Sequence, residues 1–131
     1  MTTRIELNNR RTGITNEITI DGLTVNLVTG EYEDGRLGEI FIFLKPNCDK
    51  IQIPFDTFEG LLSAFSTTVS LGLQYGVPLN KFVDQFTGTK FNPSGLVRGH
   101  ETIKISSSIL DFIFRELAIT YLNQKEWGNV Q

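Results

Sequence analysis

The chain of 131 residues has one cysteine, Cys48, and one histidine, His100. A single cysteine excludes an internal disulfide and a cysteine metal cluster, and it fits a reducing compartment. One Cys and one His leave a zinc shell incomplete, so no metal and no cofactor are expected. The opening Met-Thr-Thr-Arg-Ile-Glu-Leu lacks the apolar core of a secretory leader. No run approaches the ~20 apolar residues of a membrane span, so no membrane partner is expected. Basic charge is also in deficit: 12 Lys and Arg face 15 Asp and Glu, a net charge of −3. That balance argues against general binding to duplex nucleic acid, which needs a basic face. Neither phosphate-loop pattern, GxxxxGK[ST] or GxGxxG, is present, and GxSxG is missing too. Nothing in the sequence brings a nucleophile, its base and an orienting group together. A binding protein is expected, and not an enzyme.

What is there reads as strands followed by helices. One domain, 1–131, fits the length. Strands are expected over about 3–54. Ile18 and Ile20, then Leu23, Val25 and Leu27, alternate with polar residues at the strand period. Phe41 and Phe43 fall on one face of a third run, with Ile40, Ile42 and Leu44 on the other, which suggests cover on both sides. Asp34-Gly35 signals a hairpin tip, and the acidic residues Glu31, Glu33 and Asp34 there read mainly as a solvated turn. Ile51 and Ile53 suggest a short last strand ended by Pro54. Helices are expected over about 56–123. Asp56 and Glu59 have capping-box spacing, and Phe58, Leu61, Leu62, Phe65, Val69 and Leu73 follow at helical spacing. Gly76 stops this helix, and Pro78 opens a short second one through Phe82 and Phe86. A third starts near Ser106–Ser108, with Leu110, Ile113, Phe114, Leu117, Ala118 and Tyr121 on one face. Residues 124–131 read as a frayed tail. The expected class is α+β: a hairpin-rich N-terminal antiparallel sheet with two longer helices and one short helix packed on it.

The segment from Phe86 to His100 carries the most chemistry. Asn92-Pro93-Ser94-Gly95 has the residues of a type I turn, and Gly88, Gly95 and Gly99 let a backbone approach a ligand. Lys90, Arg98 and Lys104 bring positive charge toward the N-terminus of the last helix, where unpaired N–H groups favour an anion. Phe82, Phe86 or Phe91 suits stacking on a base, and Asn92 suits reading its edge. Arg115 is a further candidate for the anion; it also stands four residues after Asp111, a spacing that allows an ion pair. The competing reading is plain structure: a chain-turning loop, core phenylalanines and a paired arginine.

Four contiguous runs carry a resemblance. They are Thr29-Gly-Glu-Tyr-Glu-Asp-Gly-Arg-Leu-Gly-Glu-Ile-Phe-Ile42, Ser70-Leu-Gly-Leu-Gln-Tyr-Gly-Val-Pro-Leu79, Lys90-Phe-Asn-Pro-Ser-Gly95 and Ser108-Ile-Leu-Asp-Phe-Ile-Phe-Arg-Glu-Leu-Ala118. Through them the chain resembles the C-terminal, TSCPD-type domain of adenosylcobalamin-dependent (class II) ribonucleotide reductases. The catalytic barrel, radical cysteine and cobalamin site of those enzymes have no counterpart in this length. In size and element order the chain also resembles the phage-encoded Thoeris anti-defence proteins. That second resemblance implies a non-enzymatic, homo-oligomeric sponge in the cytoplasm of a bacterial host. Such a sponge sequesters cyclic ADP-ribose isomers and, in related members, cyclic oligonucleotides. Phe82, Phe86, Lys90, Phe91, Asn92, Arg98, Lys104 and Arg115 would then hold the cyclic nucleotide. The first resemblance implies the alternative, a detached accessory or regulatory domain of a reductase.

Overall fold

The structure, a computed structural model, describes residues 3–129. The alternation in the first half sorts into a five-stranded sheet. β1 (Thr15–Ile20), β2 (Leu23–Glu31) and β3 (Leu37–Leu44) form a meander. β4 (Gly95–Arg98) and β5 (Ile105–Ser106) add to its other side, giving the order β3-β2-β1-β4-β5. Every pairing is antiparallel. Between β3 and β4 run α1 (Phe55–Gln74) and α2 (Leu79–Phe86); α3 (Ile109–Leu122) follows β5, and a 3-10 turn, Lys125–Asn129, follows α3. The fold is α+β, as the patterning implies.

Ile18, Ile20, Leu23, Val25 and Leu27 are buried in one cluster with Phe112, Ile113, Phe114, Leu117 and Ala118 of α3. The third helix differs from expectation. From Asp111 to Ala118 every residue is buried, so α3 is a central helix and does not show one apolar face. Its three charged residues there, Asp111, Arg115 and Glu116, must therefore find partners inside. Glu116 receives a hydrogen bond from Thr120 (2.7 Å) and pairs with His100 at 2.9 Å. His100 Nδ1 accepts from the Thr102 and Ile103 amides, so the ring proton sits on Nε2 and faces Glu116. Farther along α3, Tyr121 donates to Glu31 at 2.6 Å. Burial first, then the bond to that carboxylate, pushes the phenol well above its ordinary range.

The helix ends show why the chain turns where it does. Ser108 caps α3, its Oγ accepting from the Asp111 amide at 3.0 Å. Gly76, at φ 97°, ends α1; the Gly76 and Val77 amides return to the Leu73 and Gly72 carbonyls, the paired bonds of a Schellman motif. The Asp34-Gly35 tip forms the β2–β3 hairpin, and Asp34 is taken up by Arg36 (Nε to Oδ2, 2.7 Å).

Several expectations are corrected. Residues 3–14 are not strand, although the Ile14 and Thr12 carbonyls accept from β2 amides. Ile51 and Ile53 form no strand; the two extra strands come instead from the segment expected to be loop and helix. Glu59 forms no capping box: Pro54 precedes α1 without a side-chain cap, and Asp56 accepts from the Thr57 amide. Phe41 and Phe43 are 42% and 53% exposed, so the outer face of β3 is open. The tail is ordered as far as Asn129, with Trp127 packed on the core; residues 130 and 131 lie outside the described residues.

The β3 edge is covered by α1. Ser70 Oγ accepts from the Ile40 amide (2.9 Å) and reaches the Ile40 carbonyl (3.3 Å), while Gln74 donates to the Gly38 carbonyl (3.0 Å). Unpaired edges invite pairing with other chains, and side chains from α1 blunt this one. Ser70→Ala leaves the Ile40 amide without its partner and is expected to cost about 1–3 kcal/mol in urea unfolding.

Candidate functional site

The loop expected to carry the chemistry forms one wall of an open groove of about 820 Å³. Thr87, Gly88, Lys90, Phe91, Asn92, Ser94 and Gly95 stand on that side. Ile105, Ser106 and Ser107 line it from β5 and its exit, the buried Asp111 and Arg115 form the floor, and Trp127 of the 3-10 turn completes the lining. Gly88 and Gly95 have φ 82° and 121°, conformations that glycine takes without strain. The expected type I turn is replaced by a bend around a cis Asn92–Pro93 bond. The loop is stitched to β5 and beyond: the Phe91 amide donates to the Ser107 carbonyl, and Ser107 Oγ to the Thr89 carbonyl, both at 3.1 Å.

Asp111 is the centre of the floor. Its Oδ1 accepts from the Gly88 amide at 2.7 Å. Its Oδ2 accepts from Ser106 Oγ (3.0 Å), the Ser107 amide (3.1 Å) and Arg115 Nη1 (3.1 Å). Burial works to raise this carboxyl, but the bonds from Gly88, Ser107 and Ser106 and the charge of Arg115 together hold it below the ordinary aspartate range. Arg115 in turn donates to the Ile105 carbonyl (2.8 Å) and, through Nε and Nη2, to the Trp127 carbonyl (3.1 and 2.9 Å). The ion pair inferred from i, i+4 spacing is present and buried, with the two side chains only 8% and 4% exposed.

This geometry changes the anion reading. The Gly88 and Ser107 amides, well placed for a phosphate, already hold a carboxylate of the chain itself. Arg115 is committed to the floor and to the carbonyls that anchor β5 and the 3-10 turn. Of the sequence candidates, Lys90, Phe91, Asn92 and Arg115 meet at the groove. Phe82, Phe86, Arg98 and Lys104 do not line it. Phe86 sits in an aromatic cluster with Phe65 and Phe114, ring centroids 5.1 and 5.4 Å away, and stacks on Phe82. Arg98 is exposed on β4 opposite Thr19, and Lys104 donates to the His100 carbonyl. Sequence reasoning missed Ile105 and Trp127, because nothing local says that β5 and the tail fold back against this loop. What remains for a ligand is the apolar surface of Phe91, Ile105 and Trp127, with the exposed Lys90 and Asn92 beside it. Asn92 Oδ1 accepts from Ser94 Oγ at 3.1 Å, which leaves its amide nitrogen to donate outward. Among the described residues no cluster of three His, Cys, Asp or Glu side chains could hold a metal, and no helix is long and apolar enough to cross a membrane.

A stability test follows from Asp111. Its folded carboxyl titrates below the unfolded value of about 3.9. The stabilisation is therefore complete above that pH and is lost as pH falls through the lowered folded value. Asp111→Ala is expected to cost about 3–5 kcal/mol at neutral pH, since it strips a buried arginine of its partner. In urea unfolding at successively lower pH, the gap between variant and parent should close. A gap that stays constant into acid would contradict the assignment.

A protein-family model described as the TSCPD domain matches residues 2–121. A vitamin B12-dependent ribonucleotide reductase of Agrobacterium fabrum is 46% identical over 127 residues, covering 97% of this chain and 9% of the relative. The enzyme of that name from Bradyrhizobium diazoefficiens is 44% identical over 130 residues, covering 99% of this chain and 10% of the relative. That from Streptantibioticus cattleyicolor is 39% identical over 112 residues, 86% of this chain and 17% of the relative. The chain thus spans about a tenth of the length of the first two. No solved structure matches it significantly.

Proposed function

The chain belongs to the TSCPD domain family, and from that premise we propose that it serves a vitamin B12-dependent ribonucleotide reductase as an accessory binding module. The observation that carries this reading is the match itself: 97% of the chain aligns at 46% identity with a segment of such an enzyme. The segment is 9% of the relative's length, which supports a binding or regulatory part beside the bulk of the enzyme. The side chains fit that division. The imidazole of His100 has both nitrogens engaged inside the fold, which leaves it no lone pair for the cobalt of a cobalamin.

A second reading is a non-enzymatic sponge for nucleotide immune signals, cyclic ADP-ribose isomers above all, that blocks TIR-dependent Thoeris defence. The groove is what favours it. Its volume is in the range of small-molecule sites, and Phe91 and Trp127 offer flat apolar surfaces for a base. Lys90 at the rim supplies one positive charge for a pyrophosphate.

One pair of measurements separates the readings. The chain is first mixed with the Agrobacterium fabrum reductase and analysed for co-elution; binding is expected, and its absence at micromolar concentration would sink the accessory reading. It is then incubated with a cyclic ADP-ribose isomer and heat-denatured. Intact ligand recovered in stoichiometric amount would shift the assignment to the sponge, and altered ligand would make the protein an enzyme. Within the groove, Asn92→Ala is expected to leave the melting temperature unchanged and to weaken whichever ligand the groove takes by about 1–3 kcal/mol. Arg98→Ala, outside the groove, should leave that affinity intact. Equal loss in both would mean that the site lies elsewhere.

A further inference from the structure

Three charged side chains line the groove, and two of them, Asp111 and Arg115, neutralise each other in its floor at 3.1 Å. The third, Lys90, is exposed, and among the described residues no carboxylate or carbonyl engages its ammonium. The groove therefore presents one unmatched positive charge in a chain whose net charge is −3. Most of its hydrogen-bonding groups are used within the fold. The Ile105 carbonyl accepts from Arg115, the Ser107 carbonyl accepts from the Phe91 amide, and the Trp127 indole N–H donates to Gln124 Oε1 at 3.0 Å. With the carbonyls along β5 and its exit taken, a visiting chain would be held by its side chains and not as an added strand. The lining offers those side chains hydrophobic surface: Ile105, 40% exposed, and the half-buried rings of Phe91 and Trp127. Phe91 is backed by an edge-to-face contact with Phe58, centroids 6.4 Å apart, and Trp127 is fixed by its bond to Gln124. Anchors already held in place lose little freedom when an apolar side chain arrives.

Building on the accessory reading, which it presupposes, we propose that the groove is where the chain holds the reductase, and that its occupant is a short segment of that enzyme with an apolar anchor beside one carboxylate. The anchor packs on Phe91, Ile105 and Trp127, and the carboxylate pairs with Lys90. The amide nitrogen of Asn92, free to donate outward, meets a carbonyl of the segment. Charge favours this occupant over a pyrophosphate. A pyrophosphate spreads its negative charge over several oxygens that each want a donor. The groove has a single free cation, and the Gly88 and Ser107 amides already hold Asp111. One carboxylate matches one lysine. The relatives agree with a protein occupant: the aligned segment is 9% and 10% of two of them, so most of each enzyme lies outside it as a possible partner surface.

Trp127 is the chain's one tryptophan, so 5-fluorotryptophan places a reporter in the groove alone. The labelled full chain is titrated with unlabelled Agrobacterium fabrum reductase, and its fluorine resonance is expected to change chemical shift as the complex forms. Lys90→Glu reverses the free charge without removing a contact inside the fold. It is expected to leave the melting temperature unchanged and to raise the dissociation constant at least about tenfold, a loss that shrinks as salt is raised. Arg98→Glu makes the same change of charge on β4, outside the groove, and should bind as the parent does. A reductase that binds the parent and Lys90→Glu alike, with the resonance unmoved, docks elsewhere; that result overturns the groove assignment and leaves the accessory reading standing. No binding by the parent overturns both. A resonance that moves with a cyclic ADP-ribose isomer and not with bound reductase also overturns the assignment, and returns the groove to the nucleotide.

Discussion

The groove depends on a single buried carboxylate. Asp111 collects Gly88 from the loop after α2, Ser106 and Ser107 from β5 and its exit, and Arg115 from its own helix. Arg115 passes the connection on to Ile105 and to the Trp127 carbonyl. Three separated stretches of chain, the loop after α2, β5 with its exit and the 3-10 turn, are thus tied to α3 through this carboxylate and its arginine. Without it the Gly88 and Ser107 amides would face a buried cation with no anion between them. The desolvation cost of each charge is offset only because the other is present with its full set of hydrogen bonds.

The same arrangement limits what the groove can do. An anion arriving at the start of α3 would find the Gly88 and Ser107 amides occupied, and of the side chains lining the groove Lys90 and Arg115 are the cationic ones, with Arg115 already bonded to Asp111. A fixed polar floor beneath apolar lining suits binding, where the shape of the site must persist from one ligand encounter to the next. It also explains why the tail is ordered. The Trp127 carbonyl is an acceptor that Arg115 needs, so the 3-10 turn closes the site.

Much of this was legible in the sequence, and the limits have physical causes. The period-2 runs at Ile18–Ile20 and Leu23–Leu27 gave the meander, and Asp34-Gly35 its tip, because both signals are local. Gly76 and Ser108 marked helix ends for the same reason. β4 and β5 were hidden: four and two residues of strand leave no periodicity to detect, and they exist because β1 offers an edge to β4 and β4 one to β5. Phe82 and Phe86 looked available for stacking but are spent on Phe65 and Phe114, a choice that only tertiary packing makes. The Asp111–Arg115 pair was visible as spacing. Its burial was not, because a helix enclosed on all sides still shows a plausible apolar face when read alone.

Amide hydrogen exchange at Gly88 and Ser107, followed by NMR as pH is lowered, tests the role of Asp111 most directly. Both amides donate to its carboxylate, one from the loop after α2 and one from the exit of β5. After correction for the intrinsic pH dependence of exchange, their protection should fall together, over one pH interval below the ordinary aspartate range. Protection that persists through that interval, or is lost at different pH values for the two amides, would contradict a groove organised around this one side chain.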